Sequence, residues 1–238
     1  QQTVKTAVIA LNDVLDEGLP LHPLEEQRQS VTNWRQIGLG IFGLADMLIK
    51  YGAIYGSIES VKLCQKIGKT MIETAIDTSA ELAKKKGAFK ECNPEEIVST
   101  PFFQQLQNGT LKEKILTYGL RNSQLLTIAP TGTLSTMLGV SGGIEPIYAN
   151  YYTRKTESLH GEDRYYKVYT PIVKAFMEEH HLTNDTELPK YFVTAATISY
   201  KNRIAMQSTW QSFIDASISS TINVPENFTI DQVEHLYQ

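Results

Sequence analysis

Between Gln124 and Leu138 an apolar run, QLLTIA, is cut by Pro130-Thr131-Gly132-Thr133 and gives way to LSTML, which Gly139 closes. No other stretch restricts the fold as much. A short apolar run bounded by turn residues predicts a strand over 124–129, and 134–138 predicts the start of a helix. A strand that passes into a helix this way leaves the first helical N–H groups without intrahelical partners. Those donors, together with the helix dipole, favour an anion, above all a phosphate. Thr131, Thr133 and Ser135 add hydroxyls, and Gly132 lets a ligand come close to the main chain. The same letters also spell a plain capped helix in which Thr133 satisfies its own backbone. On these residues alone the plain cap stands first.

Around that stretch the chain alternates helical and extended patterns. Apolar spacing predicts helices over 3–15, 57–86 and 199–216; 23–33 reads as a polar helical connector, Thr170-Pro171 caps a helix running to about His180, and a last helix opens at Ile230. On the longest of these, Val61, Cys64, Met71, Ala75, Thr78 and Leu82 share a stripe, and Gly87 stops it. Cys64 therefore reads as a packed core thiol, whereas Cys92 falls in an exposed loop before a helix capped by Asn93. Strands are expected over 147–153 and 217–224, the latter ended by Pro225. Residues 154–169 read as a polar, tyrosine-rich and mobile excursion. Ser141-Gly142-Gly143 forms a second loop. Strands separated by helices predict an α/β fold with mainly parallel strands.

Gly38, Gly40 and Gly43 satisfy G-x-G-x-x-G, the dinucleotide fingerprint. That motif needs a buried strand directly before the first glycine and an acidic residue about twenty positions later. Thr32-Asn33-Trp34-Arg35-Gln36 does not look like such a strand. Close packing of a strand on a helix is the reading preferred for these glycines over a nicotinamide dehydrogenase.

Several function classes are excluded by composition. In 238 residues, 22 Lys and Arg face 26 Asp and Glu, a net charge of −4 that is the wrong sign for a nucleic-acid surface. The Lys84–Lys86 and Lys112–Lys114 runs are mixed with Glu and read as solvated faces. No apolar run nears the roughly 20 residues a membrane span needs, so a cytoplasmic protein is expected. Two cysteines and five scattered histidines offer no disulfide framework and no metal-ligand spacing. Gln1 in place of an initiator Met, and a final helix without a terminator, suggest a piece of a longer protein.

At PTGTLS and GGIEP the sequence resembles the large, catalytic subunit of ribonucleotide reductase. RQIGLGIFGLADML (35–48), TIAPTGTLSTMLGVSGGIEPIYANYYTR (127–154) and RIAMQSTWQSFIDASISSTINVP (203–225) are similar to three family segments in the right order. The resemblance implies the second part of a ten-stranded α/β barrel of the glycyl-radical-enzyme type, with many helices. On that reading residues 1–238 are a fragment of one catalytic barrel domain, truncated at both ends. The implied reaction replaces the ribose 2′-hydroxyl with hydrogen by radical chemistry, making deoxyribonucleotides for DNA synthesis. Pro130, Thr131, Gly132, Thr133, Leu134 and Ser135 match the loop that holds the substrate's phosphates. Gly142, Gly143 and Glu145 match a loop behind it, where Glu145 is either a supporting acceptor or an ordinary structural carboxylate.

The wording of TIAPTGT and TINVP is closest to the adenosylcobalamin-dependent branch; the alternative branch uses a separate diiron radical subunit. The resemblance further implies a homodimer, a thioredoxin-type reductant, and allosteric nucleotides bound outside this chain. The family's reaction needs a thiyl-forming cysteine in Asn-x-Cys-x-Glu and a reducing cysteine pair. Glu91-Cys92-Asn93-Pro94-Glu95 has those residue types in the wrong order, so no catalytic residue is assigned and the chain alone is expected to be inactive. A non-catalytic nucleotide-binding module built on the same turn is the alternative.

Overall fold

Helices dominate the chain. The computed structural model describes residues 1–156, 164–224 and 226–237. Its elements run α1 (Gln2–Gly18), α2 (Glu25–Trp34), α3 (Leu44–Tyr51), α4 (Ile58–Lys86), α5 (Pro94–Ser99), α6 (Pro101–Gln104), α7 (Gly109–Tyr118), α8 (Gly132–Leu138), β1 (Tyr151–Thr156), β2 (Arg164–Tyr169), α9 (Pro171–Glu179), α10 (Tyr200–Gln211) and α11 (Ile230–Tyr237). They divide into two compact units.

The first unit comprises Gln1–Gly40, Lys62–Ala129 and Ser208–Ser219. Its core takes the apolar stripe of α4, with Cys64, Met71, Ile72, Ala75, Ile76 and Ala80 all buried, together with Val8, Ile115 and Trp210. Two extended segments pair in parallel here. The Ile37 amide donates to the Gln124 carbonyl (3.0 Å), the Leu39 amide to Leu125 (2.9 Å), and the Thr127 amide to Leu39 (3.0 Å). A Cβ on Gly40 would lie 2.3 Å from the Thr127 carbonyl oxygen, and one on Gly38 would lie 2.7 Å from Thr127 Cγ2. These glycines thus let two extended segments approach, rather than a strand and a helix as expected. The residues before them belong to α2, which runs to Trp34.

Two polar groups organise this pairing. Asn122 is fully buried and satisfied: it donates to Asn12 Oδ1 (3.0 Å) and the Arg35 carbonyl (2.8 Å), and accepts from Ser79 Oγ (3.0 Å). Asp215 accepts the amides of Leu125 (2.8 Å) and Leu126 (2.7 Å). Burial pushes its carboxyl above the usual range, although the two amides pull the other way.

The second unit comprises Ile41–Val61, Pro130–Gln207 and Ser220–Gln238. Gly43 caps the start of α3, with a φ of +78° that suits glycine. Its buried Asp46 accepts the Ser141 amide (2.7 Å), the Gly43 amide donates to the Ser141 carbonyl (2.8 Å), and the Tyr55 hydroxyl donates to the Ile144 carbonyl. The loop after α8 is therefore pinned at both ends. β1 and β2 form an antiparallel hairpin pairing Tyr151 with Tyr169 and Thr156 with Arg164.

The strand expectations are corrected in several places. The hairpin is the one sheet among the described residues; parallel pairing is confined to the isolated bridges Leu39–Leu126 and Ile147–Thr194, and no closed barrel is traced. The 154–169 excursion is built of hairpin arms, with residues 157–163 outside the described residues. Of the expected 147–153 strand only Tyr151–Thr153 lies in β1, while Ile147 bridges Thr194. α10 ends at Gln211, and no strand forms over 217–224. There the Ile218 amide goes to Gln211 Oε1 (3.0 Å) and the Thr221 amide to Glu145 Oε1 (3.1 Å), so side chains take the ladder's place. Pro225, read as that strand's terminator, lies outside the described residues. Cys92 is half-buried rather than exposed, with the Leu120 amide directed at its sulfur.

Candidate functional site

The apolar run ends at Ala129, and α8 begins at Gly132. Thr131 occupies the capping position with φ of +51°, a left-handed conformation uncommon for a β-branched residue. Its side chain makes no capping bond to α8. Instead its Oγ1 accepts the Gly143 amide at 3.0 Å. Ser135 starts the helical ladder by donating its amide to the Thr131 carbonyl (2.8 Å). The amides of Gly132, Thr133 and Leu134 stand ahead of that ladder, and none has an acceptor among the described residues.

Pro130, Gly132, Thr133 and Leu134 are exposed. Ser135 is turned inward at 4% exposure, and its hydroxyl donates to the Gly132 carbonyl (3.2 Å). The outward-facing polar groups of the turn are therefore three consecutive N–H groups and the Thr133 hydroxyl. A Cβ on Gly132 would meet nothing within 4 Å, so the space beside Gly132 is open.

The second loop lies behind the turn. A Cβ on Gly142 would come within 2.9 Å of the Pro130 carbonyl and 3.6 Å of Ser135 Oγ, so only glycine permits the approach. Gly143 brings φ of +46° and the amide that holds Thr131. The structure thus gathers eight of the nine candidate residues at one turn and the loop bracing it. Glu145 sits behind, ion-paired with buried Arg203 at 2.8 Å. Sequence reasoning gave no role to Arg203, Asp46 or Asp215, each of which anchors a loop or extended segment through its side chain. Their one signal was a charge set within an otherwise apolar pattern. In the first unit an apolar cleft of about 460 Å³ is lined by Ile72, Phe103 and Ile214, among others, and includes none of the candidate residues.

The described residues are mostly helical, with one antiparallel hairpin and a turn at the start of α8 that carries three amides without acceptors. The chain belongs to the ribonucleotide reductase family: the family's barrel-domain model matches residues 1–238. Among curated relatives, a vitamin B12-dependent ribonucleoside-diphosphate reductase of Thermoplasma acidophilum is 31% identical over 100% of this chain and 30% of its own length. One from Mycobacterium tuberculosis is 29% identical over 100% of this chain and 34% of its own. A ribonucleoside-diphosphate reductase large subunit of variola virus is 31% identical over 95% and 32%. This chain spans about a third of the length of such relatives. The class Id ribonucleotide reductase alpha subunit of Actinobacillus ureae shares the fold, with a TM-score of 0.76 at 22% identity, covering 100% of this chain and 43% of that one.

Proposed function

We propose that this chain supplies the phosphate-holding turn of a ribonucleotide reductase catalytic subunit, an oxidoreductase that converts ribonucleotides to deoxyribonucleotides. The observation that carries the reading is the set of three exposed, acceptor-free amides at Gly132, Thr133 and Leu134. Backbone donors at a helix start suit phosphate oxygens, and the open face at Gly132 admits them. Thr131 and the 142–143 loop fix the turn before substrate arrives, which lowers the ordering cost of binding. Gripping the phosphates lets remote binding energy orient the ribose for reaction.

The two short parallel pairings are, on this reading, parts of a ten-stranded barrel. Neither cysteine is placed to react with substrate. Cys64 has no exposed surface, and burial pushes its thiol up to about 11; burial also raises Cys92. The reacting sulfur is therefore assigned to other polypeptide of the enzyme. Two relatives named for vitamin B12 dependence favour a cobalamin-dependent enzyme over one with a separate radical subunit. Among the described residues no group of three His, Cys, Asp or Glu side chains could hold a metal ion.

The test is Gly132→Val in the reductase that carries this chain. A Cβ at 132 meets nothing within 4 Å, so the substitution is expected to leave the fold intact while it crowds the open face of the turn. We expect KM for the ribonucleotide to rise at least tenfold. An unchanged KM contradicts the assignment.

A further inference from the structure

We propose that Arg203 is a positioning residue for the phosphate turn, acting through Glu145; the inference rests on the function assigned to residues 130–135. Arg203 lies on α10 and is only 2% exposed. A buried guanidinium costs a great deal to desolvate, so where its hydrogen bonds go defines what it does. Nη2 donates to Glu145 Oε1 at 2.8 Å and Nη1 to Gln207 Oε1 at 3.2 Å. The same Glu145 oxygen accepts the Thr221 amide at 3.1 Å. One carboxylate oxygen thus joins α10, the 142–145 loop and the segment at Thr221.

From Glu145 the connection to the turn is continuous and short. The Glu145 amide donates to the Gly142 carbonyl at 3.1 Å, closing a tight turn. Within it Gly143 donates to Thr131 Oγ1, and Gly142 lies against the Pro130 carbonyl. Thr131 is the residue on which the three free amides are hung. Arg203 reaches no ligand itself; it stands behind the loop and fixes where the loop presses on the turn. Its planar fork serves Glu145 and Gln207 together, which a lysine ammonium on a flexible stem does not reproduce in the same geometry.

The experiment measures binding of inorganic pyrophosphate, and of the substrate's nucleoside without phosphates, to the protein that carries this chain. The variants are Arg203→Lys, Glu145→Gln and Gly132→Val, each checked for native circular dichroism. We expect Arg203→Lys and Glu145→Gln each to weaken pyrophosphate at least fivefold, with nucleoside affinity within twofold of the parent. Glu145→Gln keeps the shape of a partly exposed side chain, so it reports even where the Arg203 variant does not fold. Equal losses for pyrophosphate and nucleoside would mark a general structural role and overturn the proposal. Pyrophosphate affinity within twofold of the parent in both folded variants, with Gly132→Val weakened, would overturn the Arg203 proposal alone. If Gly132→Val also binds pyrophosphate normally, the phosphate turn itself fails and this inference with it.

Discussion

The Gly143 amide donates to the Thr131 hydroxyl oxygen at 3.0 Å, so the loop after α8 holds the residue that starts α8. Gly143 is buried, and this bond is its amide's partner within the protein. Thr131, free of capping duty, leaves the first amides of the helix to something else. The arrangement trades a cap for a brace.

That trade sets the first prediction. Thr131→Val keeps the branched shape but removes the acceptor, leaving a buried N–H unpaired at a cost of about 1–3 kcal/mol. Thr131→Ser keeps the hydroxyl and is expected to cost well under half of that. Chemical denaturation of the two variants checks the difference. Equal losses would mean that the hydroxyl does not hold the loop.

The glycines at 38 and 40 separate close backbone approach from cofactor binding. Gly40→Ala drives a Cβ against a carbonyl oxygen, which cannot yield without parting the two extended segments. Overpacking of this kind costs about 1–3 kcal/mol or more. Gly38→Ala meets a methyl group of Thr127, so its cost is expected to be smaller. Thermal unfolding of the pair gives the order, and a harmless Gly40→Ala would remove the close-approach account.

Asp215 predicts a pH dependence. Burial raises its carboxyl pKa above that of an ordinary exposed aspartate, so the folded protein holds that proton more tightly than the unfolded chain. The contribution to stability is full below the unfolded value and is lost as pH rises through the folded pKa. Asp215→Asn removes this slope. It also costs about 1–3 kcal/mol, because an amide side chain has one oxygen for two N–H donors. The check is the stability of parent minus variant between about pH 3 and 7, and a difference that grows with pH would contradict the assignment.

Most helices were legible in the sequence because their signal is local, although α7 was not expected and α10 stops five residues short of the expected end. The α4 stripe, Asn93 accepting the Glu96 amide, and Gly139 closing α8 each follow from residues a few positions apart. The turn at 130–135 was legible for the same reason. Extended segments were not, because a strand is defined by its partner. The alternating pattern of 217–224 suits a strand, yet Gln211 and Glu145 take its amides. The 154–169 stretch reads as loop by polarity, yet its described residues form hairpin arms, where Tyr169 packs on Tyr151 at a ring separation of 5.8 Å. The anchors Asp46, Arg203 and Asp215 act on backbone groups or side chains 58–95 positions away, so a charge within an apolar stretch marks them without naming their partners.

Whether the turn is an anion site can be read directly from its own amides. Inorganic pyrophosphate titrated into the ¹⁵N-labelled protein is expected to shift the amide resonances of Gly132, Thr133 and Leu134 first and furthest, in a saturable manner. Saturable shifts elsewhere with those three unmoved, or no shifts at all, would contradict the account.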